Sequence, residues 1–166
     1  MYNNCCCDLV VYNKMWKTVN VSMPFPAYGM SSGVICGKLY VAGGLKVNND
    51  QPFKIQNNLQ VYCPTHNEWW NLSSMIKGVF GASSCVIDNK LYVIGGIDSF
   101  GGITNITNIT TTSIVQVYCP FTNTWTLIDN LNKGVGGQAI GVINGKIYIA
   151  GGFDGTIMTP NVQVYE

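Results

Sequence analysis

One phrase occurs three times in this chain. Residues 36–44 read CGKLYVAGG, residues 88–96 read DNKLYVIGG and residues 144–152 read NGKIYIAGG. A second phrase follows each copy at a variable distance: LQVYCPTHNEWW from 59 to 70, VQVYCPFTNTWT from 115 to 126 and VQVYE from 162 to 166. The glycine pairs fall 52 and then 56 residues apart. A repeat of this length is one supersecondary unit that cannot bury its apolar face alone, so the units must stack to form a core.

Each unit reads as four antiparallel strands. The first is small-sided: SSGVI at 31–35, SSCVI at 83–87 and AIGVI at 139–143. A two-residue turn follows. Asn144-Gly145 is the strongest of the three, because a type I′ turn needs positive φ at both positions; Cys36-Gly37 and Asp88-Asn89 fill the same slot. The second strand alternates around Tyr40, Tyr92 and Tyr148 and stops at Gly43-Gly44, Gly95-Gly96 and Gly151-Gly152. Glycine at those places allows backbone to approach backbone and accepts dihedrals that other residues resist. The third strand carries Tyr62, Tyr118 and Tyr165, and Pro64 and Pro120 end it in two copies by removing a donor. Trp69 and Trp125, each seven residues after the tyrosine, restart pairing in a fourth strand. A large flat side chain at one position per unit suits stacked blades.

The predicted architecture is therefore all-β, with about three four-stranded antiparallel blades forming part of a β-propeller. The boundaries are a partial blade at 1–25, blades at 26–77 and 78–132, and an incomplete blade at 133–166. Residues 9–12 and 16–23 are expected to be third and fourth strands of the partial blade.

Composition narrows the function classes. Only 10% of residues are charged and the net charge is +1, which gives no electrostatic footprint for nucleic acid or an anionic membrane surface. All nine basic residues are lysines, so the bidentate recognition that arginine provides is absent. No apolar run has the length of a membrane span, and the first ten residues lack the pattern of a secretory signal. Seven cysteines, an odd number with Cys5, Cys6 and Cys7 consecutive, form a poor disulfide framework and point to a reducing cytoplasm. The sequons at Asn20, Asn71, Asn105 and Asn108 are accordingly read as unglycosylated.

The glycine pair, spaced tyrosine and spaced tryptophan resemble the kelch repeat family over nearly the whole chain. The resemblance implies a propeller of interaction modules, often the substrate-receptor part of BTB-kelch ubiquitin ligase adaptors, with a minority of oxidases and sugar epimerases. The arginine-free, asparagine-rich composition resembles a truncated poxvirus BTB-kelch protein lacking the BTB part, and such a chain would act as a competitor of the adaptor. Two positions depart from the family. Its aspartate after the third-strand tyrosine is replaced by Asn13, Cys63, Cys119 and Glu166, which weakens the cap on the following turn. The arginine that commonly precedes the first strand is replaced by Ala27, Val79 and Val135, which removes an acidic-peptide pocket of the family's type.

The candidate chemistry is sparse. His66 is the single histidine and sits in a turn, without the two histidines that the resemblance would require for a copper oxidase. Adjacent cysteines converge poorly on zinc. The stretch at Gly101-Gly102 lacks the lysine and helix of a phosphate loop. No metal and no cofactor are expected, and the protein is read as a noncatalytic module for a host or cellular protein. In kelch propellers the second-to-third-strand loops rise beside the loops entering each first strand. That places Tyr28 and Phe80, with Gly136 in the third copy, beside Lys46, Phe53 and Phe100 on an apolar, lysine-dotted face suited to protein recognition. Asp50, Asp98 and Asp154, just after the glycine pairs, are the candidates for the alternative of a sugar-processing enzyme, or else shape turns.

The repeat count bears on assembly. Propellers close with about four to eight blades, and the resemblance implies six, so three blades are half a ring. Two copies are expected to pair head to tail into a six-bladed homodimer closed by strand exchange, with residues 16–23 completing the last blade. Residues 9–12 duplicate residues 162–165, so one of the two must be displaced or added at an edge.

Overall fold

The computed structural model describes residues 15–48, 51–101 and 108–166. Every regular element among them is a β-strand. The first blade is the sheet β1 (Ser31–Ile35), β2 (Lys38–Ala42), β5 (Leu59–Cys63) and β6 (Glu68–Leu72), with β3 (Leu45–Asn48) and β4 (Gln51–Ile55) forming a separate hairpin above it. The second blade repeats this with β7 (Ser83–Ile87), β8 (Lys90–Ile94), β11 (Val115–Cys119) and β12 (Thr124–Ile128), and β9 (Ile97–Ser99) pairs β10 (Thr110–Thr111) above it. The third blade holds β13 (Ala139–Ile143), β14 (Lys146–Ala150) and β15 (Val162–Tyr165). The second-to-third-strand connections of the first two blades, expected as plain loops, thus contain short hairpins of their own.

The tight turns follow from their dihedrals. Cys36 and Gly37, Asp88 and Asn89, and Asn144 and Gly145 all have positive φ, from 49° to 77°. This is the geometry whose twist matches the flanking strands.

Side-chain alternation sends each strand's residues to two neighbours. Tyr40, Ala42, Leu59 and Val61 of the first blade meet Leu91, Val93, Tyr118 and Trp125 of the second in one core cluster. Ile94 and Val115, on the second blade's other face, meet Ile147 and Ile149 of the third. Between the blades Gly81 N–H donates to Gly29 O and Gly137 N–H to Gly81 O, both at 2.8 Å. Ser84 Oγ donates to Ser32 O at 2.8 Å and accepts from Ser32 N at 3.0 Å.

A device that tyrosine and tryptophan spacing does not announce recurs in every blade. The glutamine of the LQVY and VQVY phrases clamps the backbone of the segment leading into its own blade. Gln60 accepts from Phe25 N and donates to Phe25 O, Gln116 does the same to Lys77, and Gln163 to Lys133, all at 2.9–3.2 Å. Gln116 is almost fully buried. Gln116→Leu keeps the volume but strips partners from one N–H and one carbonyl, at about 2 kcal/mol. The expected result is a lower urea midpoint with faster hydrogen exchange at the Lys77 amide; an unchanged midpoint would mean water replaces the clamp.

Two expectations change. Residues 16–23 pair with no described strand. A fourth strand takes its hydrogen bonds from a third, and the corresponding residues 9–12 lie outside the described residues, as do Cys5, Cys6, Cys7 and Asn13. Val19 and Val21 instead line a groove over Leu39, Tyr62 and Trp69 on the open face of the first blade, and Trp16 is fully exposed. The turn cap lost with aspartate is also rebuilt in sulfur. Cys63 Sγ lies 3.2 Å from His66 Nδ1, and the His66 ring and the turn amides of His66 and Thr65 hold its thiol below the usual range. At Cys119 the Thr122 side chain and the amides of Thr122 and Phe121 do likewise.

Candidate functional site

The loop end of the blades is built by a ladder repeated three times. The residue two positions after each first glycine of a pair bonds reciprocally to the segment entering that blade: Tyr28 with Leu45, Phe80 with Ile97 and Gly136 with Phe153, at 2.8–3.2 Å. Those bridges are possible because the glycine pairs turn the chain sharply, with φ of 63–70° at the first residue and 97–102° at the second. They hold the entering loops upright beside the hairpins β3–β4 and β9–β10.

Four aromatic rings then form a continuous row across the first two blades. Tyr28 meets Phe80 edge-on, with centroids 5.2 Å apart and planes at 77°. Phe80 meets Phe100 at 6.2 Å, and Phe100 meets Phe53 at 6.4 Å. The spacing is that of favourable aromatic pairs. The rings come from four segments, two entering loops and two hairpins. Tyr28 stays 47% exposed and the other three are half-buried. The row stops at the third blade, where Gly136 stands in place of an aromatic. There the exposed Ile157 and Met158 take over, and Phe153 bridges Met158 as well as Gly136.

The charged candidates do not join this row. Lys46 stands directly opposite Lys54 in the β3–β4 ladder. Neighbours on a strand face opposite ways, so Phe53 and Lys54 project from different sides of the hairpin. Both lysines are exposed on the side away from the aromatics. Asp98 is engaged by Lys77 Nζ at 2.5 Å. Asp154 is engaged by Lys133 Nζ at 2.5 Å and accepts the amides of Thr156 and Ile157 at 2.9 and 2.8 Å. The Ile157 amide first, then Lys133 and the Thr156 amide, hold the Asp154 carboxyl down to about 2. Both aspartates therefore tie the connection after the glycine pair to the loop entering the same blade. In the first blade the matching pair is Lys46 and Phe25, and the tie is missing. Asp50 lies outside the described residues, as does Gly102.

The remaining predicted positions are structural. Tyr62 and Tyr118 donate to Asn67 and Asn123 at 3.0 and 2.8 Å, across turns in which both asparagines take positive φ. Tyr62 stacks against Trp69, and Tyr118 against Trp125. Tyr165 lines a cleft between the second and third blades with Val115, Ile147 and Ile149, and stays partly exposed. Among the described residues no three His, Cys, Asp or Glu side chains converge as metal ligands, and no helix is long and apolar enough to cross a membrane.

Known proteins agree with this construction. The sequence model of the Kelch motif matches residues 79–132, which is the second blade with the loop entering it. Kelch-like protein 25 of Rattus norvegicus is 31% identical over 130 residues, covering 78% of this chain and 21% of that protein. Kelch-like ECH-associated protein 1A of Danio rerio is 32% identical over 114 residues, covering 69% and 17%. The chain thus spans about a fifth of the length of the curated relatives it matches. The solved structure of YjhT shares the fold, with a TM-score of 0.72 at 21% identity over 83% of this chain and 48% of that one. With its glycine pairs, its Tyr-to-Trp spacing and its stacked four-stranded sheets, the chain belongs to the kelch repeat family.

Proposed function

We propose that the protein is a noncatalytic interaction module that binds a host or cellular protein through the row Tyr28, Phe80, Phe100 and Phe53. The observation that carries this reading is the assembly of four rings from four separate segments on one loop-bearing end, with Ile157 and Met158 exposed in the corresponding loop of the third blade. Rigid aromatics ringed by polar loops are the usual anchors of protein interfaces. A sugar-processing role is disfavoured because its candidate carboxylates Asp98 and Asp154 are already engaged by lysines. The kelch-like relatives support a protein-interaction module. Such a face would compete with a BTB-kelch ubiquitin ligase adaptor for its substrate, the role expected of a poxvirus-type relative. The odd cysteine number suits the reducing cytoplasm for this encounter.

Proximity labelling in host cells tests the reading. Loss of two of the four anchors, Tyr28→Ser with Phe100→Ser, is expected to weaken capture of the enriched protein by roughly 30-fold or more. The double variant should retain the wild-type melting transition, since neither residue belongs to the clusters between the blades. Equal enrichment by the wild type and the double variant would sink the proposal.

A further inference from the structure

The row of rings has a shape that selects its occupant. Neighbouring planes meet at 77°, 47° and 57°, so no two are parallel and a furrow separates each pair. The centroid steps are 5.2, 6.2 and 6.4 Å. A polyproline II chain rises about 3.1 Å per residue, so each step matches about two residues and the whole row about six.

Hydrogen bonding narrows the choice. The Tyr28 amide and carbonyl are both bonded to Leu45, and those of Phe80 are both bonded to Ile97. A partner strand laid on these loops finds no backbone edge at either residue. Its own N–H groups would be buried against rings without an acceptor, which is costly. Proline avoids that cost, because it has no N–H to bury. In a polyproline II helix the backbone carbonyls stay solvated on the outside. The Tyr28 hydroxyl is the one polar side-chain group among the four rings, on a residue 47% exposed, and can donate to such a carbonyl.

Charge points the same way. Lys77 and Lys133, in the entering loops, are engaged by Asp98 and Asp154. Lys46 and Lys54 stand exposed on the other side of their hairpin. The chain contains no arginine, so nothing here offers the bidentate fork that holds a carboxylate or phosphate. An uncharged segment is the complement of this surface.

We propose that the row takes a proline-rich segment of the partner protein, about six residues long and in polyproline II conformation, uncharged where it meets the rings. This rests on the row being the binding face. Pyrrolidine rings fill the furrows between Tyr28, Phe80, Phe100 and Phe53. The preformed helix has little conformational freedom left to lose on docking.

Titration of the isotope-labelled chain with acetyl-hexaproline amide, followed by amide chemical shifts, tests the assignment. An alternating valine–serine hexapeptide is the comparator, extended and uncharged but carrying its N–H groups. Hexaproline should shift the amides of Tyr28, Phe80, Phe100 and Phe53 saturably, and bind about tenfold tighter than the comparator. Tyr28→Phe keeps the ring and removes the hydroxyl, and should weaken hexaproline by about fivefold. Tyr28→Ser with Phe100→Ser should remove the shifts. Proximity labelling with the same double variant separates the two levels. Lost capture of the cellular protein, with hexaproline leaving the row unshifted or binding no better than the comparator, keeps the face and overturns the proline-rich class. Undiminished capture by the double variant overturns the face, and this assignment with it.

Discussion

Trp125→Ala should lower stability by about 4 kcal/mol, the range for truncating a buried aromatic with little room to collapse. The indole is nearly buried, belongs to the cluster shared by two blades, and supplies the hydrogen bond that satisfies Ser73 O. Since a domain of this kind is stable by only about 5–15 kcal/mol, the variant should be partly unfolded near physiological temperature. Urea denaturation followed by far-UV circular dichroism measures the effect. Trp125→Phe separates the two contributions, because it keeps an aromatic ring and removes the N–H, at about 1 kcal/mol. A loss below about 1 kcal/mol for the alanine variant would show that the blades are held by their own sheets and not by this joint.

Gly95→Ala is expected to cost about 3 kcal/mol or more, although it adds a single methyl group. Gly95 has φ of 63°, where an L-residue is strained, and an added Cβ would lie 2.5 Å from Val135 O. That oxygen is backbone and accepts the Gly96 amide at 2.7 Å, so relief means breaking a bond between the second blade and the loop entering the third. Gly145→Ala is the control. It has φ of 77° with nothing near the added carbon, so it bears the dihedral cost alone, about 1 kcal/mol. Equal urea midpoints for the two variants would show that the close approach contributes nothing.

The internal build of each blade was legible because its determinants are local. Asn144-Gly145 implies a type I′ turn from two adjacent residues, and alternation around Tyr40, Tyr92 and Tyr148 implies strands from a handful. The aromatic row was legible in part, since Tyr28 and Phe80 occupy matching places in successive repeats. The placing of Lys46 beside it failed on parity. Lys46 and Lys54 are cross-strand partners, and that register, which turns them away from Phe53, depends on a hairpin that the sequence does not announce. The glutamine clamp was missed although Gln60, Gln116 and Gln163 repeat as regularly as the tyrosines. A polar residue inside an apolar phrase reads as an outward position until the backbone it satisfies is known.

Residue order alone determined the repeat, the four-stranded unit, the turn types and the glycine positions, all consequences of dihedral preference and period-two patterning over a few residues. Only the tertiary structure decided which surfaces meet between units. It joined four distant rings into one face, committed Asp98 and Asp154 to Lys77 and Lys133, and set sulfur where a carboxylate would cap the turn. Those outcomes depend on the angle and distance between stacked sheets. Packing between whole faces sets those quantities, and no short stretch of sequence contains them.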